Sequence, residues 1–282
     1  MGYKTIKELL QNSKNDGAVG AFNIHNMEFI KGVVKAAEEE NRPAIMMINE
    51  AVLMYGGIDV LGGAAIAAAK NAKVDMAVMV DHGTHMDFLK RCIDFGLDVM
   101  YDGSALDFKD NIEKTKEMTD YAHEHGRALE GEIGALGLSE DGDEEREQKI
   151  TSVKEAVTFS KETGVDVLAV SVGNVHGFYK GSPQINIKRI KEIHEAVSPL
   201  PIVMHGGSDI PYETIKASIE AGIRKFNIAT DLKYTYAEKM RQLLNQNPMP
   251  IQPLQLFPVV ADAVADTARK KIKMFHLEGE QI

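Results

Sequence analysis

Residues 74–83 read VDMAVMVDHG, in which a short apolar run, 74–80, is followed by Asp81, His82 and a glycine. A run that is apolar at nearly every position is typical of a parallel strand covered on both faces. Similar runs lie at 18–23, 43–49, 97–101, 127–133, 165–172, 201–205 and 223–228, with helical patterns between them. This alternation predicts a parallel sheet with right-handed crossovers. Repeated through 282 residues, it predicts an α/β fold with a single domain over residues 1–282, a TIM (β/α)8 barrel. An open doubly wound sheet is the alternative, but no strand is followed by G-x-G-x-x-G.

Helix signals in the intervening segments agree with this reading. Asn26 is predicted to cap the helix after the first strand. Pro211 is predicted in the first turn of the helix after the seventh strand, with Ser208 or Asp209 as its cap. Residues 134–150 form either a solvated loop or a mobile lid over the barrel mouth, and a C-terminal helical extension is expected from about residue 258.

Composition excludes several classes of partner. The net charge of -10 argues against nucleic acid and anionic membranes. No apolar run approaches the ~20 residues of a membrane span, and the first residues lack the apolar centre of a signal peptide. The one cysteine, Cys92, rules out an intrachain disulfide and is predicted to be buried packing. We therefore expect a cytoplasmic protein that binds neither nucleic acid nor membrane.

Three of the apolar runs lead into a histidine followed by glycine: His82, His176 and His205. The carboxyl ends of barrel strands meet at one rim, where the chemistry of this fold is located. Three imidazoles there suit a catalytic zinc with an open position for substrate, although a lone strand-end histidine more often has a structural role. Other strand ends bring polar groups to the same rim: Asn23, Asn49, Asp81, Asp102, Glu132 and Asn227.

Small residues follow the seventh and eighth strands, where barrels usually bind phosphate through backbone N–H groups. The predicted cradle consists of Gly206, Gly207, Ser208, Ala229 and Thr230. Gly177 and Lys180 are predicted to close its other side. The alternative is that these glycines only make tight turns.

The segments VDHGTHMDFLKRCIDFGLDVMYDGS, GNVHGFYKGSP, VMHGGSDIP and KFNIATD occur in this order between residues 80 and 231. Together they resemble the class II, zinc-dependent ketose-bisphosphate aldolases, the family of fructose-bisphosphate and tagatose-bisphosphate aldolases. The resemblance runs from about residue 21 to residue 230. It implies reversible cleavage of a ketose phosphate to dihydroxyacetone phosphate and an aldehyde. Fructose 1,6-bisphosphate and tagatose 1,6-bisphosphate are the leading substrates.

The resemblance also implies roles for individual residues. His82, His176 and His205 would hold zinc, Asp81 would serve the hydroxyl next to the scissile bond, and Glu140 would move the donor-carbon proton. Asp102 and Glu132 match carboxylates that bind a second or displaced ion in some members. The dihydroxyacetone-phosphate site would comprise Gly177, Lys180, Gly206, Gly207, Ser208, Asn227, Ile228, Ala229 and Thr230. A monovalent cation, Na⁺ or K⁺, near the Gly177 and Gly206 carbonyls and a homodimer or homotetramer are further family expectations.

Departures from the family pattern lie around the substrate and put the sugar in doubt. Asn49 stands where relatives often carry serine, and His25 and His85 bring further imidazoles to the predicted mouth. A deoxy, keto or sulfonated ketose phosphate is therefore an alternative substrate. Two alternatives from other classes are a metal-dependent barrel hydrolase and a catalytically silent binding barrel.

Overall fold

Eight parallel strands pair in sequence order, and the last pairs with the first to close the sheet. The computed structural model describes residues 2–12, 17–134, 149–177, 179, 181–246 and 252–279. The strands are β1 (Val19–Asn23), β2 (Ala44–Asn49), β3 (Met76–Gly83), β4 (Asp98–Tyr101), β5 (Leu129–Ile133), β6 (Val167–Val170), β7 (Ile202–Met204) and β8 (Ile223–Ile228). The predicted TIM (β/α)8 barrel is confirmed, and the open doubly wound sheet is excluded.

The first helix precedes β1, and the later helices surround the outside of the barrel. They are α1 (Ile6–Asn12), α2 (Met27–Glu40), α3 (Glu50–Gly56), α4 (Gly63–Asn71), α5 (Met86–Phe95), α6 (Phe108–Glu124), α7 (Val153–Thr163), α8 (Ile187–Val197), α9 (Tyr212–Ala221), α10 (Thr230–Gln246) and α11 (Pro253–Phe275). Phe275 at the end of α11 stacks on Phe226 of β8, with ring centroids 4.8 Å apart. Cys92 on α5 is buried, as predicted. Most of the segment predicted as a loop or lid, 134–150, lies outside the described residues.

One of the two helix-cap predictions is confirmed and the other is wrong. Asn26 caps α2, since its side chain accepts from the backbone N–H groups of Glu28 and Phe29. Pro211 directly precedes α9, but that helix has no side-chain cap. Ser208 and Asp209 are used elsewhere because the loop after β7 turns back toward neighbouring loops. The Ser208 hydroxyl accepts from the N–H of Asp231, and the Asp209 carboxylate accepts from the N–H of Tyr179.

Side chains along each strand alternate between the two faces of the sheet. Those that point outward pack under the helices, as Phe22, Met46 and Val78 do. Those that point inward fill the barrel with a separate apolar cluster that includes Ala21, Met47, Met79, Met100, Val167, Ala169 and Val203. Ile6, Leu9 and Leu10 of α1 belong to the same interior cluster. The first helix therefore closes the amino-terminal end of the barrel.

The segment between β2 and β3 is a long helical stretch in which a π-helical turn, Gly57–Gly62, joins α3 to α4. By length and composition alone the stretch Glu50–Asn71 is apolar enough to cross a membrane. The sequence prediction that no segment approaches this length is therefore wrong for this stretch, whose few charges are spaced among alanines and glycines. Leu53, Ala65 and Ile66 pack into the core around the barrel, and one such helix is weak evidence of a membrane span, because a core helix can pass the same test.

Candidate metal centre and its surroundings

The last inward-pointing position of almost every strand carries a polar side chain. These residues are Asn23, Asn49, Asp81, Asp102, Glu132, His205 and Asn227, with His82 and His176 beside them. In the sheet register Asn49 of β2 pairs with Asp81 of β3, and Asn23 of β1 pairs with Met47, two residues before Asn49. The polar residues predicted at the rim are thus brought together above the apolar interior.

Three imidazoles converge at this rim. His82, His176 and His205 each offer a ring nitrogen such that the three atoms lie within 4.8 Å of one another. The ring centroid of His82 is 5.0 Å from that of His176 and 4.9 Å from that of His205. Three neutral imidazoles at this spacing form a donor set typical of a catalytic zinc site.

His82 is set by an irregularity in its strand. The pairing of β3 with β4 shifts register between Val80 and Gly83, and His82 has a φ of 48°. Its Nδ1 lies 2.9 Å from Oδ2 of Asp102, whose other oxygen accepts from the hydroxyl of Ser104. A carboxylate only accepts, so Nδ1 carries a proton, and Nε2 can bind a metal when it is deprotonated.

His205 follows β7 and is held from below. Its Nε2 lies 2.9 Å from Oε1 of Glu130 on β5. Its Nδ1 is buried and has no hydrogen-bond partner among the described residues, as is also true of Oε2 of Glu132, which lies 3.7 Å away. A buried polar atom without a partner costs free energy, so a cation bound between these two atoms would be stabilising.

His176 is not at a strand end, contrary to the prediction. β6 ends at Val170, and His176 lies six residues later in the loop that leads to α8. Asn174 holds this loop next to His205, because its Oδ1 accepts from the N–H of Val172 and its Nδ2 donates to the carbonyl of His205. Asn174 is not among the residues predicted from the sequence. Its position in GNVHG, two residues before His176, is the feature that could have indicated it.

The loops after β6 and β7 also touch directly. Gly206 has a φ of +63°, and a Cβ built there would lie 1.9 Å from the carbonyl oxygen of Val175. Only glycine therefore allows the loop after β7 to lie against the backbone next to His176.

The surroundings of the three imidazoles shift their pKa values in different directions. Burial opposes protonation of His82, but the carboxylates of Asp81, Asp102 and Glu132 outweigh it and raise the pKa of His82 to about 10. Burial, followed by the charge on His82, lowers the pKa of His176 well below its ordinary value. Burial likewise lowers the pKa of His205, against the pull of Glu130. The carboxylates that favour a proton on His82 would equally attract a divalent cation.

The donor set, the orphaned Nδ1 of His205 and the surrounding negative charge all fit a zinc ion. A second group, His82, Asp102 and Glu132, also offers three atoms within 4.8 Å of one another. Burial, with the nearby charge on Asp102, raises the pKa of Glu132 well above its ordinary value.

Asp81 lies beside this centre and is almost fully buried. Its Oδ2 accepts from Nδ2 of Asn23 over 2.9 Å, and its Oδ1 accepts from Nδ2 of Asn227 over 3.2 Å. Two amides on neighbouring strands, β1 and β8, thus hold the carboxylate in one orientation.

The predicted phosphate residues lie on adjacent loops. Gly207 is bonded through its N–H to the carbonyl of Asn227, which joins the ends of β7 and β8. Thr230 begins α10, and its buried hydroxyl has no partner in the part of the chain that the structure describes. A helix amino terminus with a free hydroxyl favours an anion.

Four further predicted residues either lie outside the described part of the chain or have a structural contact. Glu140 and Lys180 lie outside the described residues. Asn49 caps α3, because its Oδ1 accepts from the N–H of Ala51. His85 is exposed and bonded to Glu50 through Nδ1, which fixes the loop after β3.

Comparisons with known proteins agree with one another. The family described as "Fructose-bisphosphate aldolase class-II" matches residues 4–280. The chain is 37% identical over 284 residues to a sulfofructosephosphate aldolase of Alkalicoccus urumqiensis, with 99% of each chain covered. It is 34% identical to a fructose-bisphosphate aldolase of Staphylococcus aureus, with 96% of each covered. Among solved structures, it is similar to the YdjI aldolase of Escherichia coli K12, with a TM-score of 0.86, 32% identity and 97% of each chain covered. A putative fructose-1,6-biphosphate aldolase of Coccidioides immitis superposes with a TM-score of 0.90, at 28% identity and 96% coverage of each chain.

Proposed function

The chain belongs to the class-II fructose-bisphosphate aldolase family, a zinc-dependent group of aldehyde-lyases, and from this premise we propose its substrate and the residues that act on it. The substrate is a ketose 1-phosphate, which the enzyme cleaves reversibly to dihydroxyacetone phosphate and an aldehyde. Fructose 1,6-bisphosphate and tagatose 1,6-bisphosphate are the first candidates. A ketose phosphate with a sulfonate at its far end is the second, favoured by the 37% identity to a sulfofructosephosphate aldolase.

The observation that carries this proposal is the convergence of three imidazoles beside a carboxylate held by two amides. In this proposal His82, His176 and His205 hold the zinc. When bound, zinc supplies the Lewis acid that a retro-aldol reaction needs as its electron sink. Asp102 and Glu130 fix the tautomers of His82 and His205, and Asp102 with Glu132 is the alternative place for a displaced or second ion.

Asp81 takes the proton from the hydroxyl on the carbon next to the scissile bond. As that proton leaves, the oxygen forms the aldehyde carbonyl, the carbon–carbon bond breaks, and its electron pair stays on the dihydroxyacetone-phosphate half. That half then takes a proton on carbon, which we assign to Glu140. Asn23 and Asn227 keep the Asp81 carboxylate turned toward the substrate while this occurs.

The phosphate of the donor half is assigned to the loops after β6, β7 and β8. The assigned residues are Gly177, Lys180, Gly206, Gly207, Ser208, Asn227, Ile228, Ala229 and Thr230. The amino terminus of α10 and the unpartnered Thr230 hydroxyl support this placement, and they act locally against the net charge of -10. A monovalent cation near the Gly177 and Gly206 carbonyls and a homodimer or homotetramer belong to the same proposal.

A condensation assay tests the proposal. Zinc-loaded protein is mixed with dihydroxyacetone phosphate and, in separate reactions, with glyceraldehyde 3-phosphate or with the three-carbon aldehyde that carries a sulfonate in place of that phosphate. We expect a six-carbon ketose phosphate, whose comparison with fructose and tagatose standards gives its stereochemistry. Turnover of the sulfonated aldehyde alone would select the second candidate, and no product with either aldehyde would contradict both.

The Asp81→Ala variant is the control for the assigned chemistry. It should retain zinc, because Asp81 is not in the group of three imidazoles, and it should lose about 10²-fold or more in rate. A variant that keeps zinc and cleaves as fast as the wild type would remove Asp81 from the reaction.

A further inference from the structure

A buried ion pair crosses the barrel directly below the three imidazoles. Lys225 on β8 and Glu130 on β5 both point inward, one position below Asn227 and Glu132. Both side chains are 0% exposed, and Nζ of Lys225 lies 2.8 Å from Oε2 of Glu130. The interior positions on the two strands between them are the small residues Ala169 and Val203. The two long side chains therefore have room to meet inside the barrel.

The carboxylate end of this pair holds a proposed metal ligand. Oε1 of Glu130, the oxygen that Lys225 does not use, accepts from Nε2 of His205 over 2.9 Å. Because the carboxylate cannot donate, the proton of His205 is kept on Nε2, and Nδ1 faces the other imidazoles without a proton. With Lys225 on one oxygen, the carboxylate is turned so that the other oxygen faces His205.

The ammonium end of the pair reaches the acid–base group. Nζ of Lys225 also donates to Oδ1 of Asn227 over 2.8 Å. An ammonium has donors only, so the Asn227 amide must present its oxygen downward and its Nδ2 upward. That Nδ2 is the group that donates to Asp81. Lys225 thus determines which way the Asn227 amide points.

We infer that the Glu130–Lys225 pair is a positioning element that aligns the two halves of the site from below, fixing the metal-binding nitrogen of His205 through Glu130 and the orientation of Asp81 through Asn227. Lys225 is a positioning residue and not a nucleophile, since its Nζ is buried between Glu130 and Asn227. The inference rests on the proposed aldolase site for its catalytic part. Its metal part is measured without any sugar, so the two can fail separately.

Two double variants separate the roles, because removal of one charge alone would leave its partner buried and unpaired. Glu130→Gln/Lys225→Met removes both charges but leaves a carbonyl oxygen that can accept from Nε2 of His205. Glu130→Leu/Lys225→Met removes the charges and that oxygen as well. The two variants have the same net charge and differ mainly in whether His205 keeps an acceptor.

The role of Glu130 in metal binding is tested by measuring zinc affinity in competition with a chromophoric chelator. Glu130→Gln/Lys225→Met should bind zinc within about threefold of the wild type, and Glu130→Leu/Lys225→Met should bind it roughly 10–100-fold more weakly. Equal zinc affinity in the two variants would overturn the role of Glu130. In the wild-type protein loaded with zinc, nitrogen NMR should find the His205 proton on Nε2, and a proton on Nδ1 would overturn it without any variant.

The role of Lys225 in catalysis is tested by measuring kcat and KM of zinc-loaded Glu130→Gln/Lys225→Met. Its kcat should fall at least about tenfold with a smaller change in KM, because Asn227 loses the contact that orients its amide. Wild-type kcat in this variant would overturn the role of Lys225.

Arg127→Met is the matched control. Arg127 lies 3.6 Å from the buried Asp98 at the opposite end of the barrel. This variant should lower the unfolding temperature while leaving zinc affinity and kcat within about twofold of the wild type. If Arg127→Met lowers zinc affinity or kcat as much as the double variants do, the effects are general consequences of stability and the inference is overturned.

Discussion

Nδ2 of Asn23 lies 2.9 Å from Oδ2 of Asp81, although β2 separates their two strands in the sheet. Among the described residues, Asn23 donates to Oδ2 of Asp81 and Asn227 donates to Oδ1. A hydrogen bond to a charged group contributes about 1.5–3 kcal/mol, which corresponds to roughly 10–100-fold in rate if it is used to orient the carboxylate.

We therefore expect Asn23→Ala to lower kcat about tenfold or more at unchanged zinc content, measured by steady-state kinetics with metal analysis. Asn71→Ala is the control, because this asparagine on α4 is exposed and its side chain donates to the carbonyl of Ala67, one turn earlier in the same helix. Equal kinetics for the two variants would mean that the Asn23 contact does not orient Asp81.

Zinc should stabilise the fold through His176. At a free zinc concentration of 100 times Kd, binding contributes about 2.7 kcal/mol. Removal of the metal by a chelator should therefore lower the unfolding temperature by roughly 5–10 °C. His176→Ala should abolish this response, while His276→Ala, at the end of α11, should retain it. Calorimetry with and without chelator measures both, and a wild-type response in His176→Ala would exclude that residue from the metal site.

Gly206 should be intolerant of a side chain for a reason that Gly164 lacks. Both have positive φ, +63° and +67°, but a Cβ on Gly206 would strike the carbonyl of Val175, whereas a Cβ on Gly164 meets nothing within 4 Å. Gly164→Ala should cost only the strain of the left-handed conformation, about 1 kcal/mol. Gly206→Ala should cost more and should also weaken zinc binding, since the displaced carbonyl is next to His176. Denaturant unfolding and zinc affinity distinguish the two variants, and equal zinc affinity would contradict the coupling of these loops.

Titration of Asp98 should lower the free energy of unfolding as the pH rises. Burial, partly opposed by Arg127, raises the pKa of Asp98 from 3.8 to about 7. Between these values the unfolded chain releases the Asp98 proton and the folded chain retains it, so the folded state binds more protons. The free energy of unfolding then decreases with rising pH in this window by up to about 1.4 kcal/mol per pH unit, and the decrease ends above about pH 7.

The comparison of wild type with Asp98→Asn isolates this effect from other titrating groups. The variant should be less stable at low pH, because the carboxyl bonds the N–H groups of Ile6 and Ala128. Its stability should nevertheless decline less steeply between pH 5 and 7. Parallel slopes in urea unfolding at these pH values would show that Asp98 does not titrate in this way.

The sequence predicts the architecture and most of the rim because both depend on local periodicity. Apolar runs locate the strands, and parallel closure then places their carboxyl ends together, which brings His82, Asp81 and His205 into one place. The same pattern predicts His176 at a strand end, but β6 ends at Val170 and His176 lies in the loop that follows. Its return to the site depends on Asn174, a contact to the backbone of His205 that only the folded loops reveal.

Glu130 and Lys225 illustrate what the sequence does not predict. Both occur within runs that are recognised as strands by their apolar neighbours, and within such a run a single charged residue predicts an exposed position. The two residues are 95 positions apart, and their contact exists only because closure of the barrel brings the inward side chains of β5 and β8 within reach of each other. Hydropathy describes each strand separately. An ion pair between two strands that are distant in the sequence is therefore not predicted from the hydropathy of either one.

The apolar interior layer and the closing helix α1 have an electrical consequence. Asp98, Arg127 and Asp166 lie near the amino-terminal end of the barrel, and the imidazoles and carboxylates of the metal centre lie at the other, with Met47, Met79 and Met100 among the side chains between them. A medium of low polarity screens charges less than water does, so only distance weakens the influence of one charged end on the other. The residues of the closed end can therefore influence the metal centre through their electric field and not through contact.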